Sequence, residues 1–330
     1  MTVPIDFVIT WVDDADPVWQ EKKARYTQQE MSEGNTAARY RDWDTLKYWF
    51  RGVEAFAPWV RRIYFVTDDQ KPDWLNTEHP KLRWVKHREF IPEEYLPTFN
   101  SVAIEWNLHR IEDLSEQFVY FNDDVFLIRE TSPEDFFVDG QACDFPTLDF
   151  IRGDDLFSHT MRNNAALVNR HFIFRKVIKK HWRKWFKNQP PVGVLKLLLY
   201  GCRAKMPGMR NPHIHQAYQK NYFELLWELE YDWIHETCRH RLRTPTDITP
   251  YCVRDWQLFS GEFYPQKPMG RRFLTADLSH SQEAIAYLKE QKGNVICLND
   301  GETERDFEQH KQMIIEAFEQ LFPEKSSFEM

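Results

Sequence analysis

The sequence opens on Ile5-Asp-Phe-Val-Ile-Thr-Trp-Val12, an apolar run rich in β-branched residues, which breaks into Asp13-Asp-Ala-Asp16-Pro17. Such a run predicts a buried strand followed by a polar loop. Three further apolar runs within the first 150 residues predict strands at 62–67, 82–86 and 118–121. This stretch of repeated strands decides the fold class.

Segments with the apolar spacing of helices lie between these predicted strands, at 45–56 and 100–114. Strands that alternate with helices predict an α/β fold, with a mainly parallel sheet flanked by helices. Polar clusters at 13–17, 68–72 and 122–124 follow the strand ends. The carboxyl ends of strands in such sheets are where ligands bind.

The second half of the chain has a different pattern. Residues 169–187 predict a basic helix, and 224–239 also predict a helix. The proline-rich stretch 245–272 predicts loops. Near the end, 294–298 predicts a short strand that leads into Asn299-Asp300, and 303–321 predicts a final helix.

Charge is distributed unevenly along the 330 residues. The chain has 43 Lys and Arg against 51 Asp and Glu, for a formal charge of −8. The 68 residues from Leu156 to Phe223 contain 14 basic residues and no Asp or Glu, which leaves 29 basic and 51 acidic residues elsewhere. Solubility alone does not account for such a basic segment in an acidic protein.

Composition excludes several classes of protein. A chain with 42% hydrophobic residues can bury a large core and is not disordered. No apolar run of about 18 residues predicts a membrane span, and the first ten residues, without Lys or Arg, do not predict a signal peptide. Five cysteines without a CxxC pair argue against a disulfide framework or a zinc ribbon, and fit a reducing cytoplasm.

Within the basic segment, 176–187 predicts an amphipathic helix with Ile178, Trp182, Trp185 and Phe186 on one face. The opposite face carries basic residues: Lys176, Lys179, Lys180, Arg183, Lys184 and Lys187. Three interpretations stay open. The helix lies on an anionic membrane surface, it binds a polyanionic chain, or it packs its apolar stripe on the core and leaves its basic face in solvent.

Asp123-Asp124 directly follows a predicted strand. Paired carboxylates at a strand end hold a divalent cation beside a phosphate, and Mg²⁺ needs only one or two of them. The alternative is an ordinary solvated turn. Asn299-Asp300 repeats this pattern after a second predicted strand. Either the two strand ends face one metal ion, or Asn299-Asp300 is an ordinary turn that ends its strand.

His213 lies in Asn211-Pro-His-Ile-His215. An HxH pair can ligate zinc, but no third ligand is evident at typical spacing. A histidine held by the rigid proline is alternatively a general base for a hydroxyl nucleophile, or simply a surface residue.

Other side chains suit a phosphorylated ligand. Arg243 has the bidentate fork that clamps phosphate. Arg39, Arg41 and Asp42 precede a predicted helix and either bind ligand or cap that helix. The first loop offers an aromatic face and carboxylates for a base and ribose, or core packing and caps: Trp11, Val12, Asp13 and Asp16. No GxGxxG, P-loop, GxSxG or HExxH motif is present.

Four blocks in order resemble the Stealth proteins, which include bacterial capsular and exopolysaccharide hexose-1-phosphate transferases and the catalytic subunit of N-acetylglucosamine-1-phosphotransferase. The blocks begin with Ile5–Pro17 and continue from Arg39-Tyr-Arg-Asp42 to Phe118-Val-Tyr-Phe-Asn-Asp-Asp124. The third runs from Asn211-Pro-His213 to Arg243-Thr-Pro-Thr-Asp247, and the fourth is Val295-Ile-Cys-Leu-Asn-Asp300 with Phe322–Phe328. The third block keeps only the end of the family's His-Met-Pro-His, which leaves His213 and His215 as alternatives.

The resemblance implies a GT-A-like nucleotide-sugar transferase that moves a sugar-1-phosphate from a UDP-sugar to a hydroxyl of a growing anionic polysaccharide and releases UMP. It implies a bound Mg²⁺ or Mn²⁺ held by Asp124 with Asn299 and Asp300, and catalysis by His213 as base, Arg243 as phosphate clamp and Asp123. Residues of the two early blocks would line the nucleotide pocket: Trp11, Val12, Asp13, Asp16, Arg39, Arg41 and Asp42.

We therefore expect a nucleotide-sugar-binding core at 1–155, a basic helical insert at 156–240 that faces acceptor or membrane, and a return to the core at 241–330. The expected location is the cytoplasm, with or without peripheral contact to an anionic membrane, and no nucleic acid partner is expected. Two alternatives differ in class: a metal-dependent glycosyltransferase that releases UDP, and a non-enzymatic glycan-binding protein.

Overall fold

A computed structural model describes residues 3–27, 41–275, 277–301 and 307–330. The described strands are β1 Ile5–Thr10, β2 Ile63–Thr67, β3 Leu82–Lys86, β4 Gln117–Phe121, β5 Val125–Leu127, β6 Phe137–Val138, β7 Gln141–Asp144, β8 Gln216–Gln219, β9 Phe263–Pro265, β10 Gly270–Thr275 and β11 Val295–Asp300. The described helices are α1 Pro17–Thr27, α2 Leu46–Phe56, α3 His87–Phe90, α4 Ser101–Asn107, α5 Leu156–His171, α6 Phe174–Phe186, α7 Pro191–Tyr200, α8 Lys220–Leu229, α9 Tyr231–Arg239, α10 Tyr251–Ser260, α11 Leu278–Lys289 and α12 Phe307–Leu321.

A five-stranded sheet in the order β3-β2-β1-β4-β8 forms the centre of the molecule. Its first four strands are parallel, with Val8 of β1 opposite Tyr64 of β2 and Tyr120 of β4. Strand β8 closes one edge in the antiparallel direction. The predicted α/β fold with a mainly parallel sheet and flanking helices is confirmed.

Both faces of this sheet are buried, because successive side chains of a strand point to opposite sides. On β1, Val8 belongs to one hydrophobic cluster, which also contains residues of α4–α6 and α8–α10. Phe7 and Ile9 belong to a second cluster, built with α2, β5, β11 and α12. The near-continuous apolar character of β1 follows from this two-sided burial.

A second sheet, β10-β11-β5, is built from chain segments that are distant in sequence. Strand β5 follows β4 after the turn at Asn122–Asp124 and pairs antiparallel with β11, placing Val125 opposite Cys297. The predicted terminal strand therefore extends as far as Asp300 and reaches the end of β4.

Three sequence-based predictions differ from the structure. The single helix predicted at 169–187 is wrong, because α5 ends at His171 and α6 begins at Phe174. The loops predicted at 245–272 contain helix α10, and the helix predicted at 100–114 gives way to a 3₁₀ turn at 108–110. Of the final helix, only residues from Phe307 onward lie in the described chain.

The expected amphipathic face of α6 also needs correction. Trp185 is fully buried, but Trp182 is 54% exposed, so the two do not share a buried face. Lys184 lies on the protein side, where its Nζ donates to Gln141 Oε1, Gly261 O and Phe263 O at 2.6–2.9 Å. The helix kinks at His181, with φ −115° and ψ 21°, and this rotates the faces relative to an ideal helix.

The three predicted regions remain a prediction, although β8, in the second, pairs with β4, in the first. Among the described helices, we find none with both the length and the apolar character needed to cross a bilayer.

Candidate active site

A cavity of about 360 Å³ opens at the carboxyl ends of β1, β2 and β4. The chain leaves β1 toward β2 on one side, whereas β4 lies on the other side of β1, so the strand order reverses at this point. Parallel sheets form ligand crevices at such reversals. Of the residues predicted for the site, ten line this one cavity: Trp11, Val12, Arg41, Asp42, Asp123, Asp124, His213, Arg243, Asn299 and Asp300.

Asp124 is held by the neighbouring strand β11. Its backbone carbonyl accepts from Leu298 N at 2.8 Å, and its Oδ2 accepts from Asn299 Nδ2 at 3.2 Å and from Cys297 Sγ at 3.4 Å. Cys297 and Asn299 are two residues apart on a strand and point to the same face. The second strand end therefore orients the carboxylate of the first.

The other oxygen of Asp124, Oδ1, is buried and has no hydrogen-bond partner among the described residues. Burial would raise the pKa of the Asp124 carboxyl, but the neighbouring His213, together with the Asn299 amide, holds that pKa below its ordinary value. A buried, ionised oxygen without a partner is costly unless a cation or donor meets it. This arrangement fits a divalent cation.

Two more carboxylates crowd the same end of the cavity. Desolvation, followed by the charges of Asp124 and Asp42, raises the pKa of Asp123 to about 7, although its side chain opens onto the cavity. Desolvation and the charge of Asp44 raise the pKa of Asp42 to about 6. Like charges that interact in a desolvated cavity favour protonation or a bound cation.

His213 lies in a turn that the side chain of Asn211 stabilises. Asn211 Oδ1 accepts from His213 N at 2.7 Å, and His213 adopts a left-handed φ of 47°. This strained conformation places His213 Nε2 3.6 Å from Asp124 Oδ2. One ligand atom each from Asp124, His213 and Cys297 lies within 4.8 Å of the others, a grouping that the sequence analysis did not make.

His215 lies in the core, not in the cavity. Its ring packs against Phe136 at 5.0 Å and Phe121 at 5.9 Å. Burial lowers its pKa to about 3, so that it stays neutral at physiological pH. The two histidines of the HxH pattern therefore do not converge on one ion, and His213 is the one that faces the cavity.

Arg243 is positioned by the loop that follows it. Asp247 is fully buried and accepts from Thr244 N at 3.0 Å, Asn100 Nδ2 at 3.0 Å and His240 Nδ1 at 2.6 Å. These bonds close the Arg-Thr-Pro-Thr-Asp turn against the start of α4. Arg243 Nη2 then donates to Ser101 Oγ at 2.6 Å on the cavity wall.

Glu105 is a cavity residue that the sequence analysis did not select. Burial raises its pKa to about 7, against the lowering effects of the Arg243 charge and a hydrogen bond with Ser101. The sequence did contain a signal for Glu105. Ser101 and Glu105 are separated by three apolar residues and are four positions apart, so they share one face of α4.

The predicted nucleotide-pocket residues Trp11, Val12 and Arg41 line the same cavity. Arg41 pairs with Asp300 at 3.3 Å, and Trp43 Nε1 donates to the same carboxylate at 3.3 Å. Trp11 is only 9% exposed and packs on Phe65.

Two predicted pocket residues, Asp13 and Asp16, are not among the cavity lining. Asp13 accepts from Ala15 N, and Asp16 accepts from Val18 N at the start of α1 and from Gln70 Nε2, each at 2.9 Å. These bonds shape the first loop. Arg39 lies outside the described residues.

The chain resembles proteins of one known family. The family model of Stealth protein conserved region 1 matches residues 3–30, and that of conserved region 2 matches residues 39–144. The capsular polysaccharide phosphotransferase WcwK of Streptococcus pneumoniae is 37% identical over 98% of both chains. The chain belongs to the Stealth family.

Other full-length similarities have the same character. The Stealth protein described here is 37% identical to the receptor polysaccharide phosphotransferase WefC of Streptococcus gordonii over 100% of both chains. It is 36% identical to the exopolysaccharide phosphotransferase cps2G of Lactiplantibacillus plantarum, over 98% of this chain and 96% of that one. Among solved structures, an active-site mutant of LgtC matches 94% of the chain at 11% identity with a TM-score of 0.36.

Proposed function

We propose that this Stealth protein is a polysaccharide phosphotransferase that transfers a sugar-1-phosphate from a UDP-sugar to a hydroxyl of an acceptor glycan and releases UMP. The observation that carries the proposal is the convergence of Asp124, His213 and Arg243 on one cavity at the switch point of a parallel sheet. The full-length similarity to capsular and receptor polysaccharide phosphotransferases supports the same reaction class.

In the proposed reaction, an acceptor hydroxyl attacks the phosphorus that carries the sugar. The new bond joins the acceptor oxygen to this phosphorus, and the bond to the bridging oxygen breaks, so that the bridging oxygen and its electron pair leave with UMP. The hydroxyl proton passes to His213. The ionised Asp124, 3.6 Å from His213 Nε2, stabilises the resulting imidazolium.

The remaining residues bind and balance charge. Arg243 is aimed by its bond to Ser101 and neutralises charge on the transferring phosphoryl group. Asp124 would hold Mg²⁺ or Mn²⁺ with Asp123, Asn299 and Asp300 in support. When bound, the metal supplies positive charge for the pyrophosphate and the departing UMP. Arg41, Asp42, Trp11 and Val12 bind the nucleotide.

The nucleotide product tests the proposal. Purified protein is incubated with UDP-sugar, acceptor glycan and Mg²⁺, and the released nucleotide is identified by chromatography. UMP together with a phosphodiester in the ³¹P NMR spectrum of the product supports the proposed reaction. Release of UDP overturns it in favour of a glycosyltransferase that breaks the sugar–phosphate bond, and glycan binding without any nucleotide release overturns it in favour of a binding protein.

A further inference from the structure

Helix α7 presents an apolar face to solvent. Val192, Leu195, Leu198 and Leu199 are 65%, 55%, 64% and 56% exposed. Their spacing places them on one side of the helix, and we call these four residues the docking face. Leu197 is the buried residue of this helix. The helix therefore rests on the protein by its opposite side and leaves these four apolar side chains more than half exposed.

The protein side of α7 is well anchored, so the exposed leucines do not result from a loosely attached helix. Lys196 Nζ donates to Leu148 O at 3.0 Å, and Tyr200 packs edge-on against Phe150 at 4.8 Å. Phe174 N donates to Ala204 O at 2.7 Å, which joins the end of the α7 segment to the start of α6. Helices α6 and α7 thus form one unit.

Exposed basic residues lie on the same unit as the docking face. Trp182 of α6 is also exposed, with the Arg183 guanidinium 5.6 Å from its ring. The exposed basic residues of α6 and of the chain that flanks α7 are Arg175, Lys176, Lys179, Lys180, Arg183, Lys187, Arg203 and Lys205. They lie in the acid-free segment of a chain whose formal charge is −8. A partner of this unit would therefore offer both apolar and anionic groups.

We propose that α7 docks on an anionic lipid bilayer, with the docking face in the acyl–headgroup boundary and the lysines and arginines of α6 on the headgroups. Ten residues of helix extend about 15 Å, about half of the hydrocarbon thickness. The helix therefore lies in the interface, as amphipathic membrane-binding helices do.

Two other occupants fit less well. A second copy related by twofold symmetry would bring the same basic residues of both copies together, which like-charge repulsion opposes. A polyanionic glycan would satisfy the lysines but would leave Val192, Leu195, Leu198 and Leu199 in water. A bilayer with anionic headgroups satisfies both features.

Vesicle flotation tests this proposal without any turnover measurement, so its outcome is independent of the proposed activity. The full chain is mixed with phosphatidylcholine vesicles that contain no anionic lipid or about 30 mol% phosphatidylglycerol. We expect flotation with the anionic vesicles and a loss of about tenfold or more in partitioning for Leu195→Gln/Leu199→Gln and for Lys179→Glu/Lys180→Glu. The matched controls, Leu229→Gln/Leu278→Gln and Lys71→Glu/Lys289→Glu, change exposed residues elsewhere and should float like the wild type.

Circular dichroism establishes that each variant is folded, which is expected because every substituted side chain is exposed. The proposal is overturned if both α7 and α6 variants partition like the wild type. It is equally overturned if the wild type is a lipid-free dimer that Leu195→Gln/Leu199→Gln converts to a monomer, since the docking face then covers a second copy.

Discussion

The end of β4 and the acid-free segment carry opposite charges in different settings. Around β4, Asp42, Asp123 and Asp124 share a cavity in which protein replaces much of the water, and two of the three pKa values are raised as a result. In the segment from Leu156 to Phe223, most basic side chains lie on the surface. A charge in a cavity acts strongly on its neighbours, whereas a surface charge is screened and acts on large partners. Substitutions in the two regions should therefore affect different measurements.

The largest effect is expected at Asp124. Asp124→Asn removes the ionised oxygens that face His213 and the proposed metal, so turnover should fall about a thousandfold or more. Binding to anionic vesicles should be unchanged, which is what separates the two regions. Steady-state kinetics measure the loss, and Asp73→Asn, an exposed carboxylate on the surface, is the matched control. Substantial activity in Asp124→Asn contradicts its place at the centre of the site.

His213→Ala should lower kcat by about 10²- to 10⁴-fold, the range of a general base. Affinity for UDP-sugar, measured by calorimetry, should stay close to that of the wild type, because the proposed proton acceptor faces the hydroxyl and not the nucleotide. His280→Ala, at an exposed histidine of α11, should be silent. A large loss of UDP-sugar affinity would instead make His213 a ligand contact.

Glu105 gives a pH-dependent effect on stability. Burial raises the pKa of the Glu105 carboxyl from its ordinary value of 4.5 to about 7, so the folded protein keeps the carboxyl proton up to about pH 7. Stability from this group is therefore present below about pH 4.5 and is lost as the pH rises through 7. Glu105→Gln stays neutral and escapes this loss, so between about pH 4 and pH 8 its free energy of unfolding should rise relative to wild type by up to about 3 kcal/mol.

Urea unfolding at the two pH values measures this difference. Glu112→Gln, at an exposed glutamate with 82% of its side chain accessible, is the control and should show no such trend. A constant difference between Glu105→Gln and wild type across the pH range would show that folding does not raise the pKa of Glu105.

The smallest effect is expected at Lys184, the one lysine of α6 that lies on the protein side. Lys184→Ala removes three hydrogen bonds to Gln141, Gly261 and Phe263 and should lower the free energy of unfolding by about 2 kcal/mol. Its neighbour Lys180 is exposed, and Lys180→Ala should change stability by less than about 0.5 kcal/mol. Equal effects in thermal unfolding would place Lys184 on the surface with the others.

The same two regions differ in how well the sequence predicted them. Strands β1 to β4 and β11 were predictable because a buried strand is encoded by a short continuous apolar run. The break between α5 and α6 was not, since apolar spacing continues through Phe172 and Ile173. The kink at His181 then invalidated the assignment of Trp182 and Lys184 to faces, because a helical wheel assumes regular geometry.

Helix α10 was missed for a related reason. Pro250 and Pro265 indicate loops when read alone, but Pro250 stands at the N-cap and the helix fits between the two prolines. In the site, Asp124, His213 and Arg243 were recognisable from local motifs. Cys297 and Glu105 were not, because their importance comes from which strand or helix packs beside them, and that is a tertiary property.

The bonds from β11 to Asp124 also make the order of synthesis relevant. During translation Asp124 is synthesised more than 170 residues before Cys297, Leu298 and Asn299, the residues that orient it. Glu329 pairs with Arg51 of α2 at 2.7 Å and joins the segment after α12 to the core. A chain that ends before β11 contains Asp124 and the motifs before it, but it lacks the strand that orients the Asp124 carboxylate. We therefore expect a chain truncated before β11 to be inactive even though it contains Asp124.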